Sequence, residues 1–202
     1  STVSGNRALV GSGGGVMASF DIQGEISNST ISGNTASSEG GGVYLRRNTL
    51  AIRNSTITGN VAESTEGSGG GIRRNGRGVL TLGRNIIAGN DAPNSPDNVG
   101  REIDSSSSAN VVSEGFNVLG SSAFSRSQAF HSFNPVASDR VATSNGTQPT
   151  AIGDILVTGL GNNGGPTRTH NLRGASPARD FIPSALCVGL IDQRGVVRPK
   201  GG

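Results

Sequence analysis

Tryptophan is absent from this 202-residue chain, tyrosine and cysteine occur once each, and aromatic residues make up only 3% of it. Those scarcities exclude a globular core of large interlocking side chains. A lone cysteine, Cys187, excludes an internal disulfide and leaves the redox compartment unread. No apolar run approaches the roughly 18 residues of a membrane-spanning helix, and the N-terminus has neither a basic stretch nor an apolar one behind it. No membrane insertion is therefore expected of this segment. Charge is sparse too, with a net value of +3 and Lys200 as the only lysine beside the arginines. So small a balance describes a solvated surface, and Tyr44 alone stands near the arginines to stack a base, so nucleic acid is not an expected partner. The glycine runs at 11–15 and 67–71 lack the aspartates of calcium-binding repeats, and Gly159 to Gly164 leads into Gly165-Pro166 and not a helix. Neither a metal nor a cofactor is expected.

Glycine, by contrast, is abundant, and it sits in a repeated phrase. Glu25-Ile-Ser-Asn-Ser-Thr-Ile-Ser-Gly-Asn34 is echoed by Leu50 to Asn60 and Leu80 to Asn90, and the chain opens on the same tail, Ser1 to Asn6. Aligned on Gly-Asn, the glycines are Gly5, Gly33, Gly59 and Gly89, at steps of 28, 26 and 30 residues. Low-complexity disorder has no such recurrence of apolar positions. Each period holds three strand-like pieces. The first places Val3, Ile31, Ile57 and Ile87 at one equivalent position; the second follows a triple glycine; the third alternates, with Leu50 and Ile52 matched by Leu80 and Leu82.

Strands this short need neighbours to be stable, and the intervals leave no room for a strand-helix-strand crossover. The expected fold is all-β, a right-handed parallel β-helix with about three strands per coil and a C-terminal cap. Residues 1–90 read as regular coils, and 91–202 as terminal coils, a loop insertion and the cap, in one continuous domain. Stacked about 4.8 Å apart, Val3, Ile31, Ile57 and Ile87 form an inner aliphatic column and Asn6, Asn34, Asn60 and Asn90 an amide ladder. Further strands are expected at 99–103, 109–112 and 116–119, a short helix within 122–133, and a buried strand at 151–158. Residue 1 falls inside a repeat, so the chain reads as a processed piece with its export signal and further coils upstream.

Several phrases in the second half carry a resemblance: Ile87-Ala-Gly-Asn90, Gly115-Phe-Asn-Val-Leu-Gly120, Asn163-Gly-Gly-Pro-Thr-Arg-Thr-His170, Ser176-Pro-Ala178 with Asp180, and Asp192-Gln-Arg-Gly195 with Arg198-Pro199. The repeats resemble those of right-handed parallel β-helices in bacterial surface and polymorphic outer-membrane proteins, and residues 86–199 resemble the choice-of-anchor Q domain. The resemblance implies a secreted or cell-surface protein and carries over no catalytic residue. Arg179 departs from it, since the family has an aliphatic residue before the aspartate.

Carbohydrate-active β-helices place acids, bases and metal ligands on an outer strand face. Here the positions flanking the aliphatic column are Thr30, Ser32, Thr56, Thr58, Ile86 and Ala88, which can neither donate a catalytic proton nor hold a cation by charge. No catalytic residue is assigned. Arg46, Arg47, Arg73 and Arg74 follow successive triple-glycine strands and are candidates for a basic ridge binding an acidic polysaccharide, against the simpler reading that they pair with Glu39, Glu63 and Glu66. Asp180, Asp192 and Arg194 are expected to lock the cap to the last coil. The expected function is structural or adhesive, with end-to-end stacking on other copies; the competing class is a polysaccharide-binding or polysaccharide-degrading protein.

Overall fold

Runs of two to five residues with one or two aliphatic side chains on a single face cannot hold a hairpin, and the chain stacks them. The computed structural model, which describes all residues except 21–22, 66–67, 96–99, 188 and 199–202, is a parallel β-solenoid. Four sheets run along it. Sheet I contains Thr2–Ser4, Thr30–Ser32, Thr56–Thr58, Ile86–Ile87, Val118–Leu119 and Arg140–Val141. Sheet II is Arg7–Ala8, Thr35–Ala36 and Val61–Ala62. Sheet III is Val16–Ser19, Val43–Arg46, Ile72–Asn75, Ile103–Ser105 and Phe130–His131. Sheet IV is Gln23–Ser27, Thr49–Arg53, Leu80–Gly83 and Val111–Gly115. Three of these match the expected pieces. Sheet II, directly after each Gly-Asn pair, escaped the sequence reading because two residues display no period.

Val3, Ile31, Ile57 and Ile87 are in register across sheet I, and Leu119 and Val141 continue their column. Gly5, Gly33, Gly59 and Gly89 have φ of 67, 64, 64 and 75°, and this left-handed corner turns the next asparagine inward. The triple glycine answers that corner from across the coil. A Cβ on its second member would collide with sheet II backbone, 2.5 Å from the Val61 nitrogen for Gly41 and 2.6 Å from the Asp91 nitrogen for Gly70. On its third member, Gly15, Gly42 or Gly71, a Cβ would come within 2.9, 3.0 or 2.9 Å of Nδ2 of Asn34, Asn60 or Asn90. The two motifs, far apart in sequence, are thus halves of one packing unit.

The coils continue past Asn90 and then close. Ile103–Ser105 stands where a strand over 99–103 was expected, Val99 lying outside the described residues. A short helix, Arg126–Ala129, precedes Phe130, whose ring meets Phe133 edge-on at 5.7 Å. Beyond Arg140–Val141 the chain doubles back, Gln148 and Thr150 donating N–H to the carbonyls of Val141 and Ala142 at 3.0 Å each, so this edge is covered.

The remaining chain departs most from expectation. Residues 151–158 hold a helical turn, Ile152–Ile155, in place of a strand, because its i, i+3 spacing sets both isoleucines against the outer face of sheet I. There Ala88, Val118, Ala142, Ile155 and Leu156 form a second apolar cluster, joined by Ile86, Ala178 and Phe181. The C-terminal segment is therefore a lateral strap and not a plug over the last coil. It runs back to the first coil, where Thr2 donates its hydroxyl to the Arg168 carbonyl at 2.6 Å.

Candidate functional site

Asn6, Asn34 and Asn60 each donate Nδ2 to Oδ1 of the next asparagine, at 2.9, 2.9 and 2.8 Å, and Asn34, Asn60 and Asn90 give their second Nδ2 proton to the carbonyls of Val3, Ile31 and Ile57. Every amide-to-amide donation along the ladder points toward the C-terminus. A chain of that polarity must end on a group that only accepts. Glu102 is that group: Oε2 accepts Asn90 Nδ2 at 2.7 Å and the Asn90 N–H at 3.1 Å, and Oε1 accepts the Gly89 N–H at 2.7 Å. A second ladder at the corner between sheets IV and I runs Asn85 to Asn117 to Asp139, with amide donations of 3.1 and 2.9 Å, and also ends on a carboxylate. The sequence reading missed Glu102, Asn85, Asn117 and Asp139. For Glu102 a signal existed: Gly100-Arg101-Glu102 replaces the triple glycine, and Gly120-Ser121 replaces Gly-Asn.

Glu102 is 0% exposed, and desolvation, helped by the charge of Asp91, pushes its pKa up to about 7 against the pull of its three N–H donors. Between about pH 4.5 and 7 the folded chain therefore keeps a proton that the unfolded chain has released. Stability falls as pH rises through that window, by about 1.4 kcal/mol per pH unit and about 3 kcal/mol in all. Partly buried His170, favoured in its neutral form, works in the opposite direction. Urea unfolding of wild type and Glu102→Gln between pH 5 and 8 isolates Glu102: the variant is expected to lose this downward component, and parallel curves would assign it elsewhere.

The arginine ridge does not assemble. Arg73 lies opposite Tyr44 and Asp104, whereas Arg46 lies opposite Asn75 and Ser19. Arg74, one residue on from Arg73, points into the coil and is 0% exposed, its guanidinium donating to the carbonyls of Gly76 and Gly78. Burial and the neighbouring Arg73 charge hold its pKa below the usual guanidinium value. Arg46 and Arg47 are exposed, Arg46 lying 5.6 Å over the Phe20 ring. Arg73 pairs with Glu39 at 2.9 Å and Asp104 at 2.5 Å, and Asp104 also meets His131 Nδ1 at 2.7 Å. Glu63 pairs with Arg7, and Glu66 lies outside the described residues. Period-two alternation explains the failure: consecutive arginines on a strand face opposite ways.

The strap carries the rest. Gln193 Nε2 donates to the hydroxyls of Thr2 and Thr167 at 2.8 and 2.9 Å, while Thr30 donates to Gln193 Oε1 at 2.7 Å. His170 Nε2 lies 2.8 Å from the Ser32 hydroxyl and Nδ1 lies 2.8 Å from the Val157 carbonyl. A neutral ring protonated on Nδ1 satisfies both, and burial holds the His170 pKa down, in agreement. The hydroxyl strip, expected to face outward, is thus the strap's docking strip. Asp192 and Arg194 pair at 2.6 Å and close a turn within the strap, Arg194 reaching the Asn163 carbonyl at 3.3 Å. Burial pushes the Asp192 carboxyl up, but the Arg194 guanidinium and the N–H groups of Arg194 and Val196 outweigh it and leave its pKa lowered. Asp180 stays out of this pair, exposed and 3.6 Å from Arg179, so the three-residue lock is a two-residue turn.

Where the strap leaves the solenoid, a cleft of about 650 Å³ opens against the corner between sheets IV and I, lined by Asn54, Thr56, Arg84, Ile86, Phe116, Phe181 and Arg198 among others. Fold and ladders together define a laterally strapped parallel β-solenoid. Comparison of the chain with family models, with curated proteins and with solved structures gives no match.

Proposed function

We propose that the protein is a structural or adhesive module of a secreted or cell-surface protein, a short stiff solenoid whose first coil accepts a further coil. The asymmetry of its two ends supports this reading. Val3, Val16 and Ile26 of the first coil are only partly buried, while their in-register partners Ile31, Val43 and Ile52 are at most 1% exposed. Leu9, Val10, Met17 and Phe20 beside them are 55–95% exposed. Asn6 Oδ1 has no donor among the described residues. An open parallel coil is a ready template for another strand set.

The opposite end is covered by Phe130, Phe133 and the returning segment through Thr150. Identical copies stacked head to tail would meet this covered end, and copies meeting head to head would set Asn6 Oδ1 against Asn6 Oδ1. The fitting occupant is a coil of the same repeat that offers an asparagine Nδ2. Fusing one further copy of residues 29–54 ahead of Ser1, which stands in register with Ser29 and Ser55, is expected to raise the urea midpoint, and an unchanged or lowered midpoint would remove the docking role. The unfused chain is expected to stay monomeric by light scattering.

Bacterial surface origin and kinship with the choice-of-anchor Q domain belong to the same proposal. They are supported by the motif set, whose members Asn163-Gly-Gly-Pro and Asp192-Gln-Arg-Gly pack on each other through Arg194. Catalysis is not part of it, because the sheet I face is occupied by the strap. Release of unsaturated sugars from pectate, alginate or glycosaminoglycans would overturn that.

A further inference from the structure

The cleft beside the strap is within the roughly 300–1,000 Å³ typical of small-ligand sites. Its two walls come from different parts of the chain, and each contributes a partly buried guanidinium, Arg84 from the solenoid corner and Arg198 from the strap. Arg84 donates Nε to Asn54 Oδ1 at 3.2 Å; its two Nη atoms, and the whole Arg198 side chain, have no hydrogen-bond or ion-pair partner among the described residues. The nearby carboxylates are already engaged. Glu114, which lies within electrostatic reach of Arg84, is gripped by Arg53 at 2.6 and 2.8 Å, and Asp192 is gripped by Arg194 at 2.6 and 2.9 Å. Asp180, also on the rim, is exposed and lies 3.6 Å from Arg179.

Guanidinium forks held partly out of water without a carboxylate are under-satisfied, and a ligand supplying one satisfies them bidentately. The same cleft is lined by the apolar side chains of Ile86 and Phe116, the latter held by a 5.8 Å edge contact with Phe181. The Thr56 hydroxyl and the Asn54 amide stand beside them. An apolar floor, neutral hydrogen-bonding groups and a cation on each wall match a pyranose ring, which has C–H faces, a hydroxyl rim and, in acidic sugars, a carboxylate. We infer that this cleft binds a short acidic oligosaccharide, with Arg84 and Arg198 each taking a carboxylate. The site is independent of the open first coil, and it differs from the sheet III arginines, which are paired with carboxylates, buried or exposed and do not line it.

The test is titration calorimetry with trigalacturonate on the full chain, its Arg84→Asn and Arg198→Gln variants, and Arg46→Ala as a surface-charge control. Asparagine is chosen because residue 84 has a φ of 57°, which asparagine tolerates. Each cleft variant is expected to weaken binding by at least about tenfold with an unchanged urea midpoint, and the control to leave it intact. Absence of binding at millimolar trigalacturonate, or an equal loss in Arg46→Ala, would overturn the inference. So would an acidic hexapeptide that competes as well as the sugar, since the cleft would then read charge alone. None of these outcomes bears on docking at the first coil.

Discussion

Replacing Gly70 by alanine is expected to unfold the second half of the solenoid, or to cost more than about 4 kcal/mol if the chain still folds. The added methyl would enter the shell of the Asp91 carbonyl and sit 2.6 Å from the Asp91 nitrogen. These are backbone atoms that cannot rotate away. Asp91 itself is fixed, because its N–H donates to the Asn60 carbonyl at 2.9 Å and its carbonyl accepts the Ala62 N–H at 3.0 Å. Relief requires separating two coils, which would break the ladder at Asn90 as well. Gly33→Ala is the informative comparison: its φ is 64° but nothing lies within 4 Å of the added carbon, so only the left-handed backbone penalty of roughly 1–2 kcal/mol applies. Urea unfolding of the two variants should separate them widely. Similar losses would mean that the coils yield to the methyl and that the glycines serve only backbone freedom.

Asn60→Asp is expected to be the second severe change, although it alters one atom of the side chain. Asn60 is 0% exposed and both its amide protons are used, on Asn90 Oδ1 at 2.8 Å and the Ile31 carbonyl at 3.0 Å. A carboxylate puts an acceptor against both acceptors and buries a charge with no cation to meet it. Leaving a buried charge uncompensated in this way costs about 3–5 kcal/mol, or roughly 10 °C in Tm for a chain of this size. Protonation relieves the charge, so the loss should shrink toward low pH, giving a folded pKa raised above the unfolded one and stability that falls as pH rises. A pH-independent loss would place the damage in packing. The native chain already respects this rule, since Glu102 and Asp139 stand where a ladder stops and only an acceptor is required.

Which of these features could be read from the sequence follows from how local their causes are. The aliphatic column and the asparagine ladder were legible because recurrence of like residues in one short phrase leaves a stacked fold one register, and a shift by one residue would turn every isoleucine outward. The same spacing argument failed for Arg74. Counting residues after a triple glycine grouped Arg73 with Arg74, whereas strand alternation sends one out to Glu39 and Asp104 and the other into the coil. The cleft had no sequence signal: Arg84 lies in a coil corner and Arg198 near the end of the chain, and no short pattern contains both.

By itself, then, the sequence determined the solenoid, its column and its polar ladder, because each depends on neighbours one coil away, at steps of 28, 26 and 30 residues that repeat within the chain. Only the tertiary structure decided what covers the solenoid. Ser32 meets His170 across 138 residues and Thr2 meets Gln193 across 191, pairings made once and carrying no period. A strip of threonines and serines looks the same in sequence whether water or a strap lies over it, since a hydroxyl hydrogen-bonds either equally well. Geometry alone distinguishes the two, and here it turns an apparent outer face into an inner one and creates the cleft along its margin.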